Sequence, residues 1–240
     1  MKNKIKSITC GDLHGSDIWK NINPNNYDKI IFIGDYVDSF TVSNIIMKHN
    51  LLDIIQFKKD NMDKVILLIG NHDQQYISGN PNQRCSGFRP EMLWDFQDIF
   101  RKNKNLFQVA YQIDNYLWTH AGISEEWYKY SAKRQISMCD LENETIADQL
   151  NGLYQYNKQS LFDVGSSRGG IMDVGGILWA DKNETSKDPL PDYHQIVGHT
   201  NIENIETIKK DDSTSITYID CLIHKENNKG DSIYFYELEI

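Results

Sequence analysis

Residues 29–38 read Lys-Ile-Ile-Phe-Ile-Gly-Asp-Tyr-Val-Asp. The unbroken apolar run Ile30-Ile31-Phe32-Ile33 suits a strand covered on both faces. It stops at Gly34-Asp35, and acidic residues follow at once. The same phrase occurs on either side. Residues 5–9 read as a strand ending at Gly11-Asp-Leu-His-Gly15, and residues 64–69 as a strand ending at Gly70-Asn-His-Asp73. The theme is strand, polar loop, helix. Residues 42–59 carry Ile45, Ile46, Leu52 and Ile55 at helical spacing and supply a helix between two of the strands. Alternation of this kind predicts parallel βαβ units and an α/β fold. Open α/β sheets place their sites beyond the carboxyl ends of the strands. Here each such end delivers carboxylates, histidines or amides.

Downstream, residues 91–104 read as a helix after the stop signal Pro90. Residues 107–113 and 116–119 flank Asp114-Asn115 as the arms of a hairpin. Residues 125–135 and 141–157 read as helices. Residues 165–176 hold five of the fifteen glycines and read as a loop, as does the polar stretch 183–191. Segments 195–197, 203–208, 215–219 and 232–238 read as late strands, the last of them antiparallel because their connections are short. With no internal repeat and no linker, residues 1–240 are expected to form a single catalytic domain.

The chain has 240 residues, a net charge of -9 and 40% hydrophobic residues, the profile of a soluble globular protein. No lysine or arginine block stands out, which argues against nucleic-acid binding. Cys10, Cys85, Cys139 and Cys221 are widely spaced without a CxxC pair, so neither a zinc knuckle nor a disulfide framework is expected. The N-terminus lacks the apolar run of a signal peptide, and no stretch approaches a membrane span. A cytoplasmic location and no membrane partner are therefore expected.

Five short segments carry the chemistry: residues 11–15, 34–38 and 70–73, Thr119-His-Ala-Gly122, and Gly198-His-Thr200. Each alone is ordinary turn chemistry. Five in this order, each after an apolar run, exceed what turns require. Aspartate, asparagine and imidazole donors suit manganese, iron or zinc. Two cations held close need a shared anionic ligand, and Asp35, lying between the other donors in sequence, is assigned to bridge them. The remaining conspicuous residues take plainer readings. Trp19, Trp94 and Trp127 are assigned to the core or to helix packing. His49 and His224 are assigned to solvent, Cys10 to the interior, and Asp73 to a turn cap or an acidic neighbour of the site.

These segments resemble the motifs of the metallophosphoesterase (calcineurin-like) superfamily: GDxHG, GDxxD, GNH[DE], a later histidine before small residues, and a final GH. Gly34-Asp-Tyr-Val-Asp38 and Leu178-Trp-Ala-Asp181 are similar to GDYVDRG and LWSD of its phosphoprotein phosphatase branch, which includes bacterial and phage members. The resemblance implies an α/β/β/α sandwich of two packed mixed sheets flanked by helices. It implies two divalent metal ions, with manganese expected and iron or zinc as alternatives. Asp12 and His14 would bind one metal, Asp35 would bridge, and Asn71, His120 and His199 would bind the other. His72 would protonate the leaving alkoxide and Asp38 would orient it, while hydroxide generated at the metals attacks phosphorus. The implied activity is phosphomonoester hydrolysis of the serine/threonine protein phosphatase type, on a phosphoprotein or a small phosphoester. The alternatives are a phosphodiesterase or dinucleotide polyphosphate hydrolase, or a non-catalytic binding module.

The chain departs from the branch at the rim. Ser39-Phe40 follows Asp38 where the branch has Arg-Gly, and Ile69 stands where phage-type members carry another arginine. Phosphate oxygens call for planar, bidentate donors. Arg168, eleven residues before Trp179, ranks first as their source, with Arg89 and Arg84 as further candidates.

Overall fold

A computed structural model describes residues 4–222 and 235–240. The first three residues of the strand expected over 232–238, and His224, lie outside the described residues. The chain divides into two compact units, residues 1–108 with 229–240, and residues 109–228.

The first unit is built on a five-stranded mixed sheet. Its strands are β1 (Lys6–Cys10), β2 (Lys29–Phe32), β3 (Val65–Leu68), β4 (Phe107–Gln108) and, at the end of the chain, β10 (Phe235–Glu239), in the order β10-β1-β2-β3-β4. β1, β2, β3 and β4 run parallel, and β10 runs antiparallel to β1. The register sets Cys10 beside Phe32 and Phe32 beside Leu67, so the first three strands finish level.

Helix α1 (Asn44–Asp60) connects β2 to β3, with the Ser43 hydroxyl capping its first turn by accepting from the Ile46 N–H. Its buried stripe is Met47, Leu51, Ile54, Ile55 and Lys58, the spacing of one helix face. Of the four apolar residues expected to mark that face only Ile55 is buried. Ile45, Ile46 and Leu52 are exposed, because the inward face runs through Met47 instead. Helices α2 (Asn71–Ser78) and α3 (Leu93–Lys102) follow β3. The helix that the strand–loop–helix theme calls for after β1 does not form. Two short 3₁₀ turns, Ile18–Asn21 and Pro24–Asn26, make that connection.

The second unit carries another five-stranded mixed sheet: β5 (Ala110–Ile113), β6 (Tyr116–Thr119), β7 (His194–Val197), β8 (Glu206–Lys209) and β9 (Ser215–Tyr218), in the order β5-β6-β7-β9-β8. The β5–β6 hairpin turns at Asp114, whose φ of 50° is left-handed, as expected of Asp-Asn turn chemistry. β8 and β9 are antiparallel as expected, whereas β7 pairs parallel with both β6 and β9. Helices α4 (Glu125–Trp127), α5 (Lys133–Met138), α6 (Ile146–Gln155) and α7 (Lys182–Thr185) complete this unit.

Three local expectations are corrected. The strand expected over residues 107–113 is two strands in different sheets, broken at Val109; the N–H groups of Val109 and Ala110 both donate to Asn151 Oδ1. The polar stretch 183–191 opens with the last residues of α7, because Asp181 and Glu184 form a reciprocal capping box. Trp94 is 76% exposed rather than packed, while Trp19 and Trp127 are buried as expected. Among the described residues no helix is long and apolar enough to cross a membrane.

Candidate metal and proton-transfer sites

In the first unit the three level parallel strands carry their polar loops beyond the same sheet edge. Asp12 follows β1, Asp35 follows β2, and Asn71 opens α2 after β3; all three are buried. The loops are laced together by backbone. The N–H groups of Leu13 and His14 donate to the Asp35 carbonyl at 3.1 and 2.8 Å, and Gly15 donates to the Tyr36 carbonyl at 3.0 Å. His14, Asp35 and Asp38 all hold left-handed backbone (φ 45°, 53° and 66°), a conformation that costs energy in non-glycine residues and collects at working sites.

The glycines of the second and third motifs make this closeness possible. A Cβ on Gly70 would lie 2.0 Å from Asp35 Oδ1, and one on Gly34 (φ 109°) would lie 2.3 Å from the Gly70 nitrogen. With no side chains between them, the Asp35 loop rests directly on the start of α2. Asp35 Oδ1 accepts the His72 N–H at 2.9 Å. Asp73 clasps the other side: Oδ2 accepts from the N–H groups of Asp35 (2.7 Å) and Gly70 (2.9 Å), and Oδ1 from Tyr36 (3.0 Å). Both readings of Asp73 hold: its bond to Gly70 caps the start of α2, and its bonds to Asp35 and Tyr36 make it an acidic neighbour of the site.

The opposite oxygen of Asp35 faces two imidazoles. Oδ2 lies 3.9 Å from His14 Nε2 and 4.0 Å from His72 Nε2, and the two rings meet edge to face at 4.9 Å. His14 Nδ1 lies 2.9 Å from the Val37 carbonyl. A carbonyl only accepts, so Nδ1 carries the proton and Nε2 keeps its lone pair. Burial lowers the His14 pKa, outweighing the attraction of Asp35, and holds the ring neutral. A lone pair and a carboxylate oxygen 3.9 Å apart, too far for a hydrogen bond, leave room for one cation at about 2.0–2.2 Å from each. A carbonyl that fixes the tautomer from behind is the usual support of a histidine ligand. The donor set and its spacing therefore fit a metal ion.

His72 is built differently. Its Nδ1 lies 3.1 Å from Asp38 Oδ2. Burial disfavours the charged ring, but the carboxylates of Asp35 and Asp38 more than offset this and hold its pKa well above the usual value. Asp38 is wholly buried; Tyr76 OH donates to its Oδ1 at 2.5 Å and Gln75 Nε2 to its Oδ2. His72, Gln75 and Tyr76 stand at i, i+3 and i+4 on α2 and so share one face. Gln75 and Tyr76 were not singled out in the sequence, although this spacing from His72 was there to find them. Cys85 Sγ also reaches this cluster, at 3.6 Å from His72 Nδ1 and 3.6 Å from Asn71 Nδ2.

The other sequence candidates of this unit make contacts of their own. Ser39, in place of the branch arginine, turns the chain by accepting from the N–H groups of Thr41 and Val42. Ile69 is buried. Arg89 directs its guanidinium at Asn44 Oδ1 and the carbonyls of Ser39 and Val42. Arg84 is exposed and stacks over the Phe88 ring at 4.4 Å.

In the second unit, β6 and β7 are parallel neighbours with Trp118 beside Ile196. His120 and His199, each just past its strand, therefore emerge at the same sheet edge. His120 Nε2 and His199 Nδ1 are 3.2 Å apart, the spacing of two ligands on one ion, and the rings meet at 5.0 Å. His199 has φ 62° and packs edge-on against Trp179. The Leu178-Trp-Ala-Asp181 segment also places an arginine: Asp181 Oδ2 lies 2.8 Å from Arg168 Nε, and Arg168 Nη2 donates to Thr200 Oγ1 at 2.6 Å. Arg168 is thus held beside the His199 loop.

The calcineurin-like phosphoesterase family model matches residues 5–218. The chain belongs to that family. Calcineurin-like phosphoesterases typically depend on a pair of metal ions, and His14 and Asp35 offer donors of the kind such ions need. Among curated proteins the chain is similar to the symmetrical bis(5'-nucleosyl)-tetraphosphatase of Haemophilus ducreyi, with 27% identity in an alignment of length 168 that covers 62% of this chain and 58% of that relative. Among solved structures it resembles a cold-active protein-tyrosine phosphatase from a psychrophilic Shewanella species, with a TM-score of 0.56, 18% identity, and coverage of 92% of this chain and 72% of that one. A second structure of a cold-active protein-tyrosine phosphatase gives a TM-score of 0.58 at 19% identity, covering 92% and 70%. These two likenesses establish a shared fold.

Proposed function

We propose that this protein is a dinuclear-metal phosphoesterase that hydrolyses phosphomonoesters, with His72 as the general acid. The observation that carries this is the pairing of His72 with buried Asp38, beside a carboxylate, Asp35, that faces two imidazoles. Asp12, His14, Asp35 and Asn71 of the first unit, and His120 and His199 of the second, are the proposed metal ligands, carried over from the family's motifs. Manganese is the first candidate, with iron and zinc behind it. Bound cations of this kind supply a hydroxide nucleophile at neutral pH and offset phosphoryl charge. The protein's own part is to hold a proton on His72 Nε2 and release it to the departing alkoxide. Asp38 keeps the ring oriented and charged through Nδ1. Arg168 is the first candidate to grip phosphate, with Arg89 and Arg84 behind it.

Two observations favour a second reading, hydrolysis of a dinucleoside polyphosphate. The curated relative is named as a tetraphosphatase of that class, and Ser39 stands where the phosphoprotein phosphatase branch has an arginine. The deciding experiment compares rates on p-nitrophenyl phosphate, its bis ester and a bis-nucleosyl tetraphosphate, with manganese present. The monoester is expected to be cleaved fastest. Preference for the tetraphosphate or the bis ester would overturn the monoesterase reading. No turnover of any of them by manganese-loaded protein would overturn the enzymatic one.

A further inference from the structure

Behind the histidine read as the proton donor stands a second group of donors of a different chemical type. Asp38 Oδ2, His72 Nδ1 and Cys85 Sγ lie within 4.8 Å of one another. The two separations from Nδ1 are 3.1 Å to the carboxylate and 3.6 Å to the sulfur. A tetrahedral zinc ion, with bonds of about 2.0–2.3 Å to O, N and S, sets such donor pairs about 3.3–3.6 Å apart. The two separations from Nδ1 are therefore already near the edges of one coordination tetrahedron, and the third donor pair lies within 4.8 Å.

The sulfur is positioned rather than incidental. The Cys85 N–H donates to Gln75 Oε1 at 3.0 Å, while the amide nitrogen of the same Gln75 side chain donates to Asp38 Oδ2. One buried glutamine thus ties the Cys85 loop to the carboxylate. Cys85 is partly exposed, which gives an ion a way in, whereas Asp38 behind it is sealed. A thiolate, an imidazole and a single carboxylate select a borderline-soft ion such as zinc over manganese, magnesium or calcium.

We propose that Asp38, His72 and Cys85 form an inhibitory zinc site, separate from the metal pair that supports turnover. Binding displaces two protons, one from the Cys85 thiol and one from His72 Nδ1. It also replaces the His72–Asp38 hydrogen bond with two metal–ligand bonds, and water supplies the fourth ligand. The ring is left as a neutral, metal-bound imidazole. Its remaining Nε2–H is held far more tightly than the proton of an imidazolium, so proton delivery to a leaving group fails. The binding itself does not rest on the assigned activity; the inhibition does.

The test uses the full chain with manganese loaded first. Cobalt(II), a spectroscopic stand-in for zinc, is then titrated in. A sulfur-to-cobalt charge-transfer band in the near ultraviolet is expected, with manganese content unchanged. The band should vanish in Cys85→Ser and Cys85→Ala and persist in Cys139→Ser. Zinc inhibition, each variant referred to its own uninhibited rate, should weaken at least about tenfold in both Cys85 variants, the scale on which even outer-shell partners act. No band in the parent protein, or a band that survives loss of Cys85, would overturn the site. A Cys85-dependent band with turnover unaffected by zinc would leave the site standing and overturn its inhibitory role, and with it the reading of His72 as proton donor.

Discussion

Asp38 Oδ2 sits 3.1 Å from His72 Nδ1, and everything around that carboxylate keeps it there. Tyr76 and Gln75 donate to it from the same face of α2, and Asp38 itself has no exposed surface. The hydroxyl of Tyr76 in turn accepts the Arg89 N–H at 2.9 Å, which extends the network to the loop after Cys85. A carboxylate so enclosed is placed to hold the imidazole ring and to favour its charged form.

It follows that His72 and Asp38 should divide the chemistry between them. His72→Asn is expected to lower turnover by about 10²–10⁴-fold, the usual range for a general acid, with metal content intact. Asp38→Asn keeps the shape and tolerates the left-handed backbone, but removes the charge; a loss of about 10–100-fold is expected. Both losses should be greater on an alkyl phosphate than on p-nitrophenyl phosphate, whose leaving group needs no proton. Equal losses on the two substrates would assign His72 to binding instead. Loss of metal from His72→Asn would make it a ligand.

Gly70 leaves no room for a side chain. A methyl group there meets Asp35 Oδ1 at 2.0 Å and the Asp35 nitrogen at 2.6 Å. Gly70→Ala must push the Asp35 loop off α2, straining the bonds from His72 N–H to Asp35 Oδ1 and from Asp35 N–H to Asp73. Overpacking of this kind costs about 1–3 kcal/mol. The expected outcome is a lower melting temperature together with weaker manganese binding, read by thermal melts and metal analysis. Unchanged metal affinity would show that the cradle does not depend on this contact.

The first unit's site was legible because its three motifs end three parallel strands that finish level, a consequence of βαβ order that sequence exposes directly. The helix face of α1 was not legible: Ile45, Ile46 and Leu52 are apolar yet exposed, and only tertiary packing selects Met47 instead. The break at Val109 was hidden because residues 107–113 carry one β-like pattern while Asn151, far off in sequence, takes the two N–H groups that end one strand and begin the next. Cys85 escaped notice because its link to His72 runs through a loop held by Gln75, a contact that no local spacing encodes.

Arg168 offers a test of the rim. Its guanidinium is shared between Asp181 and Thr200, so it is already oriented. If it grips phosphate, Arg168→Ala should raise KM by about 10–100-fold, the worth of a charge-assisted hydrogen bond of about 1.5–3 kcal/mol. Arg168→Lys should recover only part of this, because a point charge does not reproduce the planar fork. A fall in melting temperature with KM unchanged would assign Arg168 to holding the Thr200 loop alone.

Asp163 supplies a pH signature away from the metal-binding motifs. Burial raises its carboxyl from the ordinary 3.8 to about 6, and no other cause contributes. A carboxyl whose pKa is higher in the folded state binds its proton more tightly there than in the unfolded chain. Its contribution is therefore fully present below about pH 4, declines as the pH rises to about 6, and stays lost above that. A shift of about two units corresponds to about 3 kcal/mol at most, but the residue is only partly buried. Screening reduces the effect to about 1 kcal/mol. Asp163→Asn removes the ionisation while keeping the shape. Urea melts should show the variant more stable than the parent by about that amount at pH 7, and equal to it at pH 4. A difference of the same size at both pH values would trace the effect to packing, and the burial of an ionisable group would no longer account for it.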